Sequence, residues 1–169
     1  MNIREKCCSF TGHRIIKPEH LEIIQKNLSL FIENLHMLGI TDFITGGALG
    51  FDTLAANAVI EARKKNRQIR LVLALPCKNQ TKGWRKSQIA EYKKILDFAD
   101  EVIYVSDEYF SGCLHKRNRF MVTHSAHCIF YLTSERSGTA YTLRYAIENN
   151  LQIHNILLGE VLTNEKQNL

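Results

Sequence analysis

Two segments of this chain carry the residue types that hold phosphate. Thr45-Gly46-Gly47-Ala48-Leu49-Gly50-Phe51-Asp52-Thr53 runs into an amphipathic pattern. Glycines at 46, 47 and 50, with Ala48 among them, leave backbone N–H groups uncovered at a helix start, where the helix dipole favours an anion. The G-G-x-x-G spacing lacks the Lys-Ser/Thr ending of a Walker A loop and differs from the dinucleotide G-x-G-x-x-G. Asp52 reads either as that helix's cap or as a partner for ribose hydroxyls. Ser134-Glu135-Arg136-Ser137-Gly138-Thr139 opens a later helical pattern. There Ser137, Gly138 and Thr139 form a second small, hydroxyl-bearing helix start.

Fixed charge and ring surface lie in three other segments. In Thr11-Gly12-His13-Arg14, Gly12 would admit a ligand to the backbone, His13 offers a hydrogen bond, and Arg14 a guanidinium fork for an anion; the other reading is an ordinary turn. Arg117 and Asn118 sit near the start of a helical pattern, where a charged side chain usually faces solvent. Arg117→Ala is therefore expected to weaken an anionic ligand and spare folding. Trp84, the only tryptophan, stands in a polar loop, either to stack on a base or to staple a helix to its sheet. No G-x-S-x-G elbow occurs. His115, His124 and His127 have no carboxylate close in sequence, so no metal site is expected.

These loops need elements to position them. Short β-branched or aromatic runs predict strands at Lys6 to Thr11, Ile40 to Thr45, Ile69 to Leu75, Glu101 to Val105, Ala126 to Leu132 and Gln152 to Leu157. Leu21, Ile24, Leu28, Phe31, Leu35 and Leu38 draw an apolar stripe down a first helix from about Pro18, closed by Gly39 as a left-handed cap. Further helices are predicted from Phe51, Trp84, Cys113 and Thr139. Strict alternation with short connections predicts an α/β, Rossmann-like doubly wound domain: a mostly parallel sheet of about six strands with helices on both faces. Ligands of such sheets bind beyond the carboxyl ends of the strands, where the strand order reverses. With 169 residues, 45% apolar and 23% charged, a single domain over 1–169 is expected, with its core at about 6–158 and a short tail at 159–169.

The net charge of +5 is regional. Glu61 to Lys94 holds 11 Lys or Arg against two Glu, an excess of 9 that leaves the rest of the chain at 4 negative. A polyanion partner and solvated helix faces are both open readings of it. Five cysteines, an odd number without C-x-x-C spacing, read as reduced, mostly buried thiols. No apolar stretch approaches the ~20 residues of a membrane helix, and Met1 to Lys6 has no export signal, so a cytoplasmic protein with no membrane partner is expected.

Taken together, Cys8-Ser9-Phe10-Thr11-Gly12-His13-Arg14, Gly47-Ala48-Leu49-Gly50-Phe51-Asp52-Thr53-Leu54-Ala55-Ala56, Leu75-Pro76-Cys77, Arg117-Asn118-Arg119-Phe120-Met121 and Ser137-Gly138-Thr139-Ala140-Tyr141 resemble the SLOG superfamily of Rossmann-like domains. The branch they resemble is the YpsA-like domain of unknown function, over about Cys7 to Ile156. The resemblance implies recognition of a nucleotide or nucleotide-derived ligand. The superfamily also holds the LOG phosphoribohydrolases and the single-stranded-DNA-binding protein Smf, so an N-ribohydrolase acting on nucleoside monophosphates and a single-stranded nucleic-acid binder are the alternatives. The LOG motif P-G-G-x-G-T-x-x-E finds Tyr141 and Thr142 where its acid would stand, leaving Glu135 as the weak candidate for a catalytic carboxylate. No cofactor is certain beyond a nucleotide-type ligand. A homodimer is an open expectation.

Overall fold

The computed structural model describes residues 3–162. Seven strands, β1 (Cys7–Gly12), β2 (Asp42–Thr45), β3 (Arg70–Leu75), β4 (Glu101–Tyr104), β5 (His127–Tyr131), β6 (Gln152–Asn155) and β7 (Glu160–Leu162), form one sheet in the order β4-β3-β2-β1-β5-β6-β7. The first six pair in parallel, and β7 runs antiparallel to β6. Five helices connect them: α1 (Leu21–Met37), α2 (Phe51–Lys65), α3 (Lys86–Phe98), α4 (Cys113–Thr123) and α5 (Gly138–Glu148).

The seventh strand comes from the stretch expected to be tail. Asn155 ends β6 two residues before the predicted end because its Oδ1 accepts from the amides of Leu157 (3.0 Å) and Leu158 (3.2 Å), which starts a turn. Gly159 completes the turn at φ +66°, a left-handed conformation that costs glycine little, and the chain returns alongside β6. At the first helix, Gly39 takes its predicted left-handed cap at φ +94°. The third helix starts later than predicted: Arg85 is its extended N-cap, and the Gln88 side chain accepts from the Arg85 amide at 2.9 Å. Trp84 therefore belongs to the preceding loop.

Helices α1, α2 and α3 cover one face through a core that includes Phe10, Ile24, Leu28, Phe43, Val59 and Ile95. The opposite face carries α4 and α5, with Val122, Leu143 and Ala146 against Cys128, Phe130 and Ile153. Phe51, fully buried, stacks on Tyr131 at 5.8 Å and meets Phe10 edge-on at 6.4 Å. Aromatic pairs add about 0.5–1.5 kcal/mol beyond their burial. This one pins the start of α2 over the ends of β1 and β5. Gly12 permits it, since any side chain there would run into the Phe51 ring.

Candidate functional site

From β1 the chain winds outward through β2, β3 and β4, then crosses back to β5 on the other side of β1. The loops after β1 and β5 diverge at that reversal and leave a crevice. A cavity of about 280 Å³ lies there. It brings together Gly12, His13 and Arg14 after β1, Ala48 and Asp52 after β2, Arg117 and Asn118 on α4, and Ser137, Gly138 and Thr139 at the start of α5. Gly46, Gly47 and Gly50 do not line it. Trp84 lines a second cavity, of about 500 Å³, which shares Arg14, Ala48, Leu114 and Arg117 with the first.

The glycine-rich loop already holds an anion, and it is the chain's own. Gly50, not Asp52, is the N-cap of α2. Asp52 is buried in the first turn, where its Oδ2 accepts from the Ala48 amide at 3.2 Å, with the Gly46 amide also turned to the carboxylate. The Gly47 amide donates to Thr45 Oγ1 (3.4 Å) and the Phe51 amide to the His13 carbonyl (3.1 Å). The three glycines answer to internal close approach. A side chain at Gly46 would strike the Arg117 guanidinium, one at Gly47 would strike Leu75, and one at Gly50 the backbone of Arg14.

Arg117 is only 6% exposed, contrary to the expectation of a solvent-facing helical cation. Cys113, Arg117 and Met121 repeat every four residues and are all buried, so Arg117 lies on the sheet-facing stripe of α4. That spacing was a signal in the sequence. Nη1 of Arg117 donates to the Gly46 carbonyl and lies 3.9 Å from Asp52 Oδ2, while Nε donates to Asn118 Oδ1 at 2.7 Å. Asn118 Nδ2 donates to Thr142 Oγ1 (2.8 Å), which donates to the Gly138 carbonyl (2.9 Å). This chain of bonds joins the glycine loop to the first turn of α5. Thr142, one turn after Gly138, was not among the predicted site residues. Neither were Leu114, His115 and Met121, which line the cavity from α4.

Burial pushes the Asp52 carboxyl up and the Arg117 guanidinium down, and the attraction between the two charges offsets this only in part. Nη2 of Arg117 makes no hydrogen bond among the described residues. The amides of Gly138 and Thr139 make none either, because Ser137 Oγ, the N-cap, accepts from Ala140 (3.1 Å) instead. Arg14 is exposed; its guanidinium makes no hydrogen bond or ion pair among the described residues, though its charge is felt by Asp52 and Arg117. His13 Nε2 accepts from the Thr133 amide at 2.9 Å. Burial pushes its pKa down, which keeps the ring neutral and able to accept that bond.

Among the described residues, Asp52 is the only acid lining this cavity. Glu135 is exposed and lies outside the lining. The three histidines are not brought together: His115 packs on Tyr141, His124 on Phe120, and His127 pairs with His154. All five cysteines are buried. No helix among the described residues is long and apolar enough to cross a membrane.

A sequence model of the YspA SLOG family matches residues 13–162. The uncharacterized SPbeta prophage-derived protein YoqJ of Bacillus subtilis (strain 168) is 33% identical over 141 residues, 76% of this chain and 82% of that protein. A UPF0398 protein of Bacillus thuringiensis (strain Al Hakam) is 25% identical across 97% of this chain and 94% of its own. Among solved structures, DNA processing protein A of Streptococcus pneumoniae superposes with TM-score 0.65 at 15% identity over 90% of this chain. The DNA processing protein A of Helicobacter pylori, described for its single-stranded DNA binding mode, gives 0.64 at 17% over 90%. TM1055 gives 0.59 at 13%, covering 96% of this chain and 88% of its own. These structural likenesses establish a shared Rossmann-like fold. The chain spans 50% of the Streptococcus pneumoniae protein and 66% of the Helicobacter pylori one.

Proposed function

The chain belongs to the YspA SLOG family, and from that premise we propose that it binds a nucleotide or nucleotide-derived ligand in the cavity between the ends of β1 and β5. One observation carries this reading. Gly138 and Thr139, whose amides have no hydrogen-bond partner among the described residues, and buried Arg117, whose Nη2 has none either, line the same cavity, with exposed Arg14 beside them. Amides at a helix N-terminus together with guanidinium donors are the equipment for a phosphate. The phosphate then lies at Gly138 and Thr139, since the amides of Gly47, Ala48 and Phe51 are occupied from within.

Binding is favoured over glycosidic cleavage. The carboxylate that lines the cavity is held by Ala48 and Arg117, whereas cleavage through an oxocarbenium-like state needs an acid or base directed at the sugar. Mass spectrometry of small molecules released from the purified protein, followed by calorimetric titration, tests the reading. Arg14 is exposed, so Arg14→Ala leaves folding intact and removes a charge-assisted contact of ~1.5–3 kcal/mol, roughly one to two powers of ten in affinity. Unchanged affinity in Arg14→Ala, or free base released from nucleoside monophosphates by the wild type, would refute it.

A further inference from the structure

The second cavity differs in chemistry from the first. Four residues, Arg14, Ala48, Leu114 and Arg117, line both, so the two adjoin along a shared wall. What the second adds is aromatic surface and an uncommitted amide: Trp84, Tyr109 and Asn79, with Lys82 beside them. We infer that it is the base-binding half of one bipartite site, so that the ligand is a nucleoside phosphate whose phosphate lies at the start of α5 and whose base lies against Trp84 and Tyr109. The inference rests on the nucleotide reading above and adds to it the place of the base.

Three observations carry it. Trp84 is half-buried and held edge-on by Tyr92, with ring centroids 5.5 Å apart and planes at 77°, so its ring is oriented before any ligand arrives. The π-face of a fixed indole suits any base. Asn79 makes no side-chain hydrogen bond among the described residues, and its amide offers the donor and acceptor that a base edge requires. Its neighbour Gln80 is committed, donating to the Gly47 carbonyl at 3.2 Å and bonding the Tyr92 hydroxyl. The lining of the second cavity contains no acid among the described residues, as a site for a polyanionic nucleotide requires.

Trp84 is the chain's only tryptophan, so its emission reports on this cavity alone. The experiment is calorimetric titration of the full chain with ribose 5-phosphate and with a set of nucleoside monophosphates, recording Trp84 emission in parallel. At least one nucleotide is expected to bind about tenfold or more tightly than ribose 5-phosphate and to change the emission along the same isotherm, while ribose 5-phosphate leaves emission unchanged. Tyr109 is 64% exposed, so Tyr109→Ala folds normally and should reduce that advantage without weakening ribose 5-phosphate. Trp84→Leu should abolish the advantage. Nucleotides that bind no more tightly than ribose 5-phosphate, or more tightly with no change in emission, would overturn the placement of the base and leave the phosphate site standing. If neither class of ligand binds, the nucleotide reading itself falls. An oligonucleotide that changes Trp84 emission when no mononucleotide does would overturn the inference in favour of strand binding.

Discussion

Arg117 and Asp52 are a buried pair in which each charge is costly and each partner is needed. Removing Arg117 strands a buried carboxylate and leaves the Gly46 carbonyl and Asn118 without their donor. Arg117→Ala should therefore destabilise the fold by ~3–5 kcal/mol, which reverses the expectation that folding would be spared. Gly46→Ala should act on the same group by a different route, because the new methyl occupies the guanidinium's place. Joint replacement, Asp52→Asn with Arg117→Met, should recover much of the loss, since no charge is then buried and the side-chain amide that replaces the Asp52 carboxylate can still accept from Ala48. Urea denaturation of the single and double variants measures this. A double variant as unstable as the sum of its singles would show that the two charges do not act as a pair.

At the scale of elements, β5 and β6 are joined by a buried histidine contact. His127 Nδ1 and His154 Nε2 lie 3.1 Å apart, and His154 packs edge-on against Phe31 of α1 at 5.2 Å. Nδ1 of His154 has no hydrogen-bond partner among the described residues. Burial, and secondarily the neighbouring His127, pulls the His154 pKa down from 6.5 to about 4. The unfolded chain then binds a proton that the folded chain refuses, so stability is full above about pH 6.5 and falls as pH drops towards 4. At ~1.4 kcal/mol per pH unit the loss is on the order of 3 kcal/mol. Unfolding midpoints at pH 7 and pH 4 should differ more for the wild type than for His154→Leu. Equal losses in the two would place the acid sensitivity elsewhere.

Across the whole molecule, the basic stretch from Glu61 to Lys94 does not form one face. Strand β3 carries the chain from one edge of the sheet to the other between Arg70 and Leu75. Arg63, Lys64, Lys65, Arg67 and Arg70 thus fall towards the amino edge, and Lys78, Lys82, Arg85 and Lys86 towards the carboxyl edge. Arg63, Lys64, Lys65 and Arg70 are also engaged, with Asp100, Glu61, Glu33 and Asp42 respectively. Divided and partly neutralised charge releases few counterions along a strand. Single-stranded DNA should accordingly bind no better than ~10⁻⁶ M at physiological salt, in the non-specific range. Nanomolar retention at that salt in a filter-binding or anisotropy titration would move the nucleic-acid reading ahead of the small ligand.

The alternation of strands and helices was legible residue by residue, because each element writes its own pattern: short apolar or β-branched runs such as Phe43-Ile44 for strands buried on both faces, and a period of about 3.6 for Ile24, Leu28 and Phe31 on α1. The small, hydroxyl-bearing helix start at Ser137-Gly138-Thr139 was legible as well, being local to one short segment. The seventh strand was not, since three residues acquire a partner only when the turn at Asn155 returns them to β6. Neither was the content of the glycine loop, because the carboxylate that fills it comes from its own helix and the guanidinium that braces it lies 71 residues away in the chain. Local sequence determined which groups could meet a phosphate. The order of strands, which sets β1 beside β5 and lays α4 over the face of β1, β2 and β3, decided which of those groups face a shared cavity and which are satisfied by one another.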